Sequence, residues 1–278
     1  MTLASVRIGH SADADDAFIF WGLASGRVRV PGVEFRHYLR DIETLNRWAI
    51  RGWIEATAIS AHAYGHVWDR YDVMRCGMSL GRGYGPLVVA REKRSLKSLA
   101  GKTIAVPGRL TTSYLVLRLA LPEFRPLFVG TGEVMEAVAD EKAEAGAVIH
   151  EGQLTYRAQG LEKVADLGAW WKRRTGLPLP LGVIVIKRGL DAVLYRKVAR
   201  GIRESIMLAQ KESEEALQYA SGFAHGMDMK RVARFVKMYA GPDAIDCGSE
   251  GRKALEALLK AAYEAHLIRC PARIAFAR

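Results

Sequence analysis

Cysteine is scarce in this chain of 278 residues: Cys76, Cys247 and Cys270 lie far apart and are odd in number. This count excludes a disulfide framework and a cysteine-rich zinc site, and it fits a reducing compartment. No apolar run, residues 181–186 included, approaches the roughly 20 residues that a membrane helix needs. Residues 1–8 lack the basic start and apolar stretch of a signal peptide. We therefore expect a cytoplasmic protein that has no membrane partner.

Acidic residues are also in deficit, with 30 Asp and Glu against 41 Lys and Arg and a net charge of +11. A positive surplus favours anionic partners, among them carboxylates, phosphates and nucleic acid. Residues 91–102 and 172–174 are basic, and Trp170 and Trp171 precede the second stretch. Because neither stretch builds a known nucleic-acid-binding module, we interpret both as solvated faces and expect no nucleic-acid partner.

Several catalytic motifs are missing. The sequence has no Walker A motif and no Gly-x-Ser-x-Gly elbow, which disfavours ATP hydrolysis and a standard serine hydrolase. Residues 81–85 are glycine-rich, but they lead into a strand instead of a helix, so we predict a tight turn there. His62 and His66 have metal-ligand spacing, yet Ala63 stands where the metalloprotease motif has glutamate, and no third ligand is apparent. We interpret them as a helix face with two histidines.

Short β-branched runs alternate with helical patterns from residue 6 to residue 186, among them a predicted helix over residues 42–51 and a predicted strand over residues 56–60. This alternation predicts an α/β fold with a mainly parallel sheet that helices cover on both faces. A proline-containing connector, residues 177–181, leads into an apolar strand, residues 182–186. From residue 190 onward the pattern is helical, with helices expected over residues 192–223, 229–239 and 249–267.

Two apolar strands, Leu87–Ala90 and Val183–Ile186, bracket a middle segment of the chain. A chain that leaves one lobe through one strand and returns through another forms two lobes joined by a double crossover. We expect residues 1–91 and 187–278 to form the first lobe and residues 92–186 the second. A ligand cleft is expected at their junction.

Polar residues follow four of the predicted strands, at the ends where open α/β sheets bind ligands. They are Ser11 with Asp13, Asp15 and Asp16; Ser60 with His62; Thr111 with Thr112 and Ser113; and His150 with Glu151. Helix capping by Asp15, Ser60 and Thr111 is one interpretation. The other is that open helix starts offer amides and hydroxyls to an anionic or polyhydroxyl ligand.

Capping does not explain His150. This residue follows the apolar run of residues 147–149, so it is either a satisfied core histidine or a general base. Glu151 would point to the opposite side of an extended strand, and we do not pair the two residues as a dyad.

Five strings of the sequence together resemble one family: residues 16–20 (DAFIF), 80–91 (LGRGYGPLVVAR), 105–114 (AVPGRLTTSY), 149–151 (IHE) and 166–182 (DLGAWWKRRTGLPLPLG). They are similar to the 1,4-dihydroxy-6-naphthoate synthases of the futalosine route to menaquinone, and the likeness extends over most of the chain. The resemblance implies a two-lobed fold like that of type II periplasmic binding proteins. It also implies a lyase that converts cyclic dehypoxanthinylated futalosine to 1,4-dihydroxy-6-naphthoate without a metal or an organic cofactor. The partner is then a small, anionic substrate, and a homodimer is left open.

The resemblance also assigns roles to individual residues. It implies that His150 accepts a proton from the substrate. Substrate contacts are implied for seven further residues: Ser11, Asp16, Ala58, Ile59, Ser60, Thr111 and Thr112.

Parts of the sequence depart from the family's pattern. The first loop of the family reads Ser-Pro-Cys-Pro-Asn-Asp-Thr, whereas residues 11–17 here include Asp13 and Asp15. Ala58 stands where many members have lysine, and Lys237 stands where an asparagine is usual. Carboxylates at the cleft mouth would repel an anionic substrate, or hold a cation or an amine instead. The alternative function is therefore a non-catalytic binding protein for a small polar or anionic metabolite.

Overall fold

The computed structural model describes residues 3–224 and 226–277, which form two mixed β-sheets and the helices that pack on them. The strands are β1 (Ala4–His10), β2 (Val33–Leu39), β3 (Ala56–Ser60), β4 (Tyr71–Val73), β5 (Ser79–Gly81), β6 (Leu87–Ala90), β7 (Thr103–Val106), β8 (Arg125–Phe128), β9 (Ala145–Val148), β10 (Glu162–Asp166) and β11 (Leu179–Lys187). The helices are α1 (Ala14–Ala24), α2 (Ile42–Arg51), α3 (Ala61–Tyr64), α4 (Thr112–Ala120), α5 (Val134–Ala139), α6 (Gly152–Thr155), α7 (Leu167–Thr175), α8 (Ala192–Lys211), α9 (Ser213–Ser221), α10 (Met229–Tyr239) and α11 (Gly248–Glu264).

The larger sheet has the strand order β2-β1-β3-β11-β4, and β5 also pairs with β11. In this sheet β1 runs parallel to β2 and β3, whereas β11 is antiparallel to β3, β4 and β5. The smaller sheet has the order β10-β6-β9-β7-β8, with β7 parallel and β6 antiparallel to both neighbours. The α/β class is confirmed. The expectation of a mainly parallel sheet is wrong, because β6 and β11 are antiparallel to their neighbours. The chain comes from the other sheet before each of these two strands.

Local sequence signals account for several element boundaries. Asp41 caps α2 by accepting a hydrogen bond from the backbone N–H of Thr44 at 3.0 Å, and Gly52 ends the helix at a left-handed φ of 66°. Every residue of β3 is buried, as expected for a strand that has neighbours on both sides. The predicted helix over residues 42–51 and the strand over residues 56–60 are therefore confirmed.

Two predicted segments differ in the structure. The expected connector over residues 177–181 contains the beginning of β11, which admits Pro180 at a register shift opposite β5, where a missing N–H is tolerated. The expected single helix over residues 192–223 ends at Lys211, and α9 follows it. This break directs Ala216 and Ala220 into the core that α1 and α8 share.

The chain crosses between the sheets twice, from β5 to β6 and from α7 to β11. Sheet membership therefore places Leu87–Ala90 with the smaller sheet and Leu179–Lys187 with the larger one. The lobe boundaries expected at residues 91/92 and 186/187 assign each of these strands to the opposite lobe. In the structure, each strand pairs with the sheet that the chain has just entered. One buried apolar cluster also contains residues of both sheets, such as Ile59 and Ile104. The division into two lobes stays a prediction.

Among the helices of the described ranges, none is both long enough and apolar enough to cross a membrane.

The first crossing and the start of α7 approach each other backbone to backbone. A methyl group on Gly168 would lie 2.0 Å from the carbonyl oxygen of Tyr84, and one on Gly85 would lie 2.8 Å from the amide nitrogen of Gly168. Backbone atoms cannot move aside unless the crossing or the helix is displaced. Glycine is therefore required where the first crossing meets α7.

We expect Gly168→Ala to lower the free energy of unfolding by about 3 kcal/mol, because the added methyl group overpacks against backbone. Gly132→Ala is the matched control, since a methyl group there meets nothing within 4 Å and neither glycine has a left-handed φ. The control should change the free energy by less than about 0.5 kcal/mol. Urea titration measures both variants, and equal effects would contradict a tight contact between the first crossing and α7.

Candidate active site

A cavity lies between the two sheets, and residues from both sides line it. About 730 Å³ within it is free of protein atoms, a value that includes space open to solvent. Ser11 lies behind the lining, where it is buried and donates its backbone N–H to Oδ2 of Asp16 at 2.7 Å. The other seven residues to which the resemblance assigns a role line the cavity together: Asp16, Ala58, Ile59, Ser60, Thr111, Thr112 and His150.

The acidic residues after β1 gather at one end of this cavity. Asp13 occupies the N-cap position of α1, but its side chain accepts no capping hydrogen bond from the helix. Asp15 and Asp16 follow in the first turn and line the cavity. Oδ2 of Asp13 lies 3.2 Å from Nδ1 of His150. Capping thus explains neither Asp13 nor Asp15, and Asp13 forms an ion pair with the imidazole when the ring is protonated.

His150 lies two residues beyond the end of β9 and has a positive φ of 51°. This left-handed conformation costs a residue with a Cβ atom roughly 1 kcal/mol. Only 17% of the side chain is exposed, yet the residue lines the cavity and contacts a carboxylate, so it is not a core histidine. Glu151 follows it in the turn that begins α6. The two residues are therefore not part of an extended strand, which had placed their side chains on opposite sides.

Burial and charge act in opposite directions on His150. Burial alone lowers the pKa of the imidazole, but the carboxylates of Asp13, Asp15, Glu151 and Asp16 together outweigh it, and the pKa is raised. Burial is also the main cause that raises the pKa of Asp15 to about 8 and that of Asp16 to about 6. Repulsion from Asp16 adds to the effect on Asp15, whereas hydrogen bonding from Ser11 limits the effect on Asp16. This end of the cavity therefore holds protons at neutral pH and carries less negative charge than its carboxylates suggest.

Ser60 is held in place by Asn46 of α2, a residue that the sequence analysis missed. The backbone N–H of Ser60 donates to Oδ1 of Asn46 at 2.9 Å, and Nδ2 of Asn46 donates to Oγ of Ser60 at 3.1 Å. Both residues are buried, and the Ser60 side chain does not cap α3. Asn46 stands beside Leu45 and near Ala49, both of which are buried. A polar residue among these buried neighbours was the signal that could have located it.

Thr111 and Thr112 form the start of α4. Thr111 caps the helix by accepting a hydrogen bond from the backbone N–H of Tyr114 at 3.2 Å, so the capping interpretation is confirmed for this residue. The hydroxyl of Thr112 donates to the carbonyl oxygen of Leu181 in β11 at 2.8 Å. Nδ1 of the buried His62 lies 3.3 Å from the carbonyl oxygen of Thr111. These contacts tie the start of α4 to elements of the larger sheet.

Glu43 makes a further link between the two sides. Its side chain is buried beside Gly108, and its Oε2 accepts a hydrogen bond from the backbone N–H of Leu110 at 3.1 Å. Burial raises the pKa of Glu43, while this hydrogen bond acts in the opposite direction. The loop that leads into Thr111 is therefore anchored on α2.

The cavity contains polar groups that the protein itself leaves unsatisfied. Oγ of Ser79 and Oδ1 of Asp15 are buried and have no hydrogen-bond partner among the described residues. Both residues line the cavity, together with Gln153 and Tyr239, which the sequence analysis did not single out. Buried polar atoms of this kind are satisfied by a ligand or by water. Tyr239 lies on the buried face of α10. Its position in the sequence therefore does not distinguish it from a tyrosine of the hydrophobic core.

The cavity lacks basic side chains: within the described part of the chain, no lysine or arginine lines it. The positive surplus of the sequence is therefore located elsewhere, and Lys237 is exposed on α10 and does not belong to the lining. An anionic group would instead meet the N-terminus of α4 and the imidazolium of His150. The anionic character of the substrate stays a prediction.

Asp13, Asp15 and His150 also have the composition of a metal site, since one ligand atom of each lies within 4.8 Å of the others. A metal ion requires a neutral imidazole and ionised carboxylates. Here the neighbouring carboxylates raise the pKa of His150, and the ring contacts Asp13 directly. We therefore interpret the group as an ion-pair cluster.

Comparisons with known proteins cover nearly the whole chain. The family described as menaquinone biosynthesis matches residues 6–264. A 1,4-dihydroxy-6-naphthoate synthase of Thermus thermophilus is 43% identical over 256 residues, which cover 92% of this chain and 93% of that protein. A protein of the same name from Streptomyces coelicolor is 35% identical over 275 residues, which cover 96% of each chain.

A solved structure supports the fold. The alkanesulfonate-binding protein SsuA from Xanthomonas axonopodis pv. citri, bound to MOPS, aligns with a TM-score of 0.75 at 13% identity, covering 98% of this chain and 96% of that one. At this identity the likeness concerns the fold alone, and the predicted periplasmic-binding-protein-like fold is confirmed. By the extent of its sequence similarity, the chain belongs to the menaquinone biosynthesis family that includes the 1,4-dihydroxy-6-naphthoate synthases.

Proposed function

We propose that the protein is a lyase that converts cyclic dehypoxanthinylated futalosine to 1,4-dihydroxy-6-naphthoate, with His150 as the general base. Its relatives are named as synthases of this product, which supports an enzyme of menaquinone biosynthesis. The observation that carries the proposal is the position of His150. Its imidazole lines the cavity between the sheets, in the same lining as Ser60, Thr111 and Thr112.

The residues of the cavity can divide the chemistry between them. Release of a sugar-derived fragment from an aromatic precursor requires removal of a proton, which Nε2 of His150 can accept because Nδ1 faces Asp13. Hydroxyl groups and the amides at the start of α4 can orient the oxygen atoms of the substrate. We expect the substrate carboxylate at the α4 end, away from the acidic residues after β1.

The reaction proposed here uses neither a metal nor an organic cofactor. We further propose that the protein acts in the cytoplasm and that its partner is a small-molecule substrate. A homodimer is left open.

A second candidate function is a non-catalytic binding protein for a small polar or anionic metabolite. Asp13, Asp15 and Asp16 favour it, because they place carboxylates where the family's first loop has fewer. The described cavity lining also lacks a lysine or arginine that would hold a benzoate-type substrate. The two candidates differ in outcome: a binding protein returns its ligand unchanged, whereas a lyase releases product.

Replacing the base should abolish the reaction. We expect His150→Asn to lower kcat for cyclic dehypoxanthinylated futalosine by about 10³-fold, because the imidazole that accepts the proton is lost. His266→Asn is the matched control, since His266 is exposed and has a similar left-handed φ of 57°, which asparagine tolerates. Chromatographic detection of 1,4-dihydroxy-6-naphthoate measures turnover, and circular dichroism checks that both variants fold.

The same assay separates the two candidate functions. If the wild-type protein gains thermal stability from the substrate but forms no product after long incubation, the binding-protein candidate replaces the lyase. Loss of turnover in His266→Asn as well would mean that the His150 effect is not specific.

The protonation of Asp15 should control substrate affinity. Below its raised pKa of about 8 this carboxyl is neutral, and above that value it is ionised and repels the substrate carboxylate. We expect the wild-type KM to rise about tenfold between about pH 7 and about pH 9, and Asp15→Asn to keep the lower value throughout.

Asp140→Asn serves as the control, because Asp140 is exposed and paired with Lys142; this variant should retain the wild-type rise. Parallel KM profiles in wild type and Asp15→Asn would contradict a role for Asp15 in substrate affinity.

A further inference from the structure

The geometry points to Asp13 as a positioning residue for His150: its carboxylate holds Nδ1 of the imidazole and leaves Nε2 to act in the cavity. This inference rests on the proposed role of His150 as the general base. Asp13 is one of the positions at which the first loop departs from the family's pattern.

The placement of Asp13 excludes the two ordinary explanations for such a residue. It stands at the N-cap of α1 without capping the helix, so it does not serve helix stability in the usual way. It does not belong to the described lining of the cavity, whereas His150 does. Its Oδ2 is 3.2 Å from Nδ1 of His150, and 18% of its side chain is exposed. Asp13 therefore acts on a ligand through the imidazole.

The pair joins the two sheets. Asp13 follows β1 of the larger sheet, and His150 follows β9 of the smaller one. His150 is also fixed locally, because its carbonyl oxygen accepts a hydrogen bond from the backbone N–H of Gln153 at 3.1 Å. A left-handed residue persists where the surroundings determine its conformation. The imidazole is thus oriented by contacts from both sides of the cavity.

The contact with Asp13 determines which nitrogen can act as a base. When Nδ1–H donates to the carboxylate, the lone pair of the neutral imidazole is on Nε2. The charged groups that face the ring are Asp13, Asp15 and Asp16 at the start of α1, and Glu151 in its own loop. Tyr239 of α10 lines the same cavity. Of these carboxylates, Asp13 stabilises the imidazolium most strongly. Its removal should therefore lower the pKa of His150, because burial favours the neutral ring.

Asp13→Asn tests the inference in steady-state kinetics. We expect kcat to fall about 100-fold, while KM changes less than about twofold because Asp13 does not line the cavity. The acidic limb of the profile of kcat/KM against pH should move about one pH unit lower, since His150 then loses its proton more easily. Asp13→Glu should restore part of both effects, and Asp140→Asn should behave like the wild type.

A second measurement does not depend on turnover. The imidazole of His150 can be titrated by NMR, with its signal identified by its loss in His150→Asn. We expect it to titrate at lower pH in Asp13→Asn than in the wild type. If the wild type does not convert the substrate, the proposed function fails, and this titration still decides the role of Asp13. Identical titration in both proteins would overturn the inference, and so would a raised KM with unchanged kcat and acidic limb.

Discussion

The ion pair between His150 and Asp13 depends on the meeting of two strand ends that belong to different sheets. That meeting is maintained by the two chain crossings, the first of which packs backbone to backbone against α7 at Gly85 and Gly168. It is also maintained by side-chain contacts such as that of Thr112 with Leu181. Without these constraints, the residues after β1 and after β9 would not share a cavity. The chemistry of the site is therefore a consequence of how the two sheets are held together.

The site concentrates acidic groups that a protein interior does not ordinarily tolerate. Three features reduce their cost here. The backbone N–H of Ser11 donates to Asp16, the imidazole of His150 supplies a positive partner, and the pKa of Asp15 is raised so that it can stay protonated. A buried apolar cluster shared by both sheets supplies stability away from the cavity. The acidic end is thus tolerated because its carboxyl groups are hydrogen-bonded, paired with His150 or protonated.

The fold itself does not determine the chemistry. A sulfonate-binding protein has the same overall architecture at 13% identity, and unrelated activities commonly occupy one fold. What distinguishes this chain is the set of side chains at its strand ends: a histidine after β9, hydroxyl groups at the start of α4, and carboxylates after β1. Sequence similarity to the named synthases is what connects this set to menaquinone biosynthesis.

The sequence by itself determined the α/β class, the boundaries of elements such as α2 and β3, and a set of strand-end residues of which seven line one cavity. These depend on local signals, namely periodicity, caps and the polar residues that follow buried strands. Only the tertiary structure decided that β6 and β11 run antiparallel to their neighbours, that Asn46 supports Ser60, and that Asp13 faces His150. Each of these is a pairing between residues far apart in the chain, and no local pattern specifies which distant residue will be the partner. Asp13 occupies the N-cap position of α1, yet its side chain contacts His150 of the second sheet instead of capping the helix.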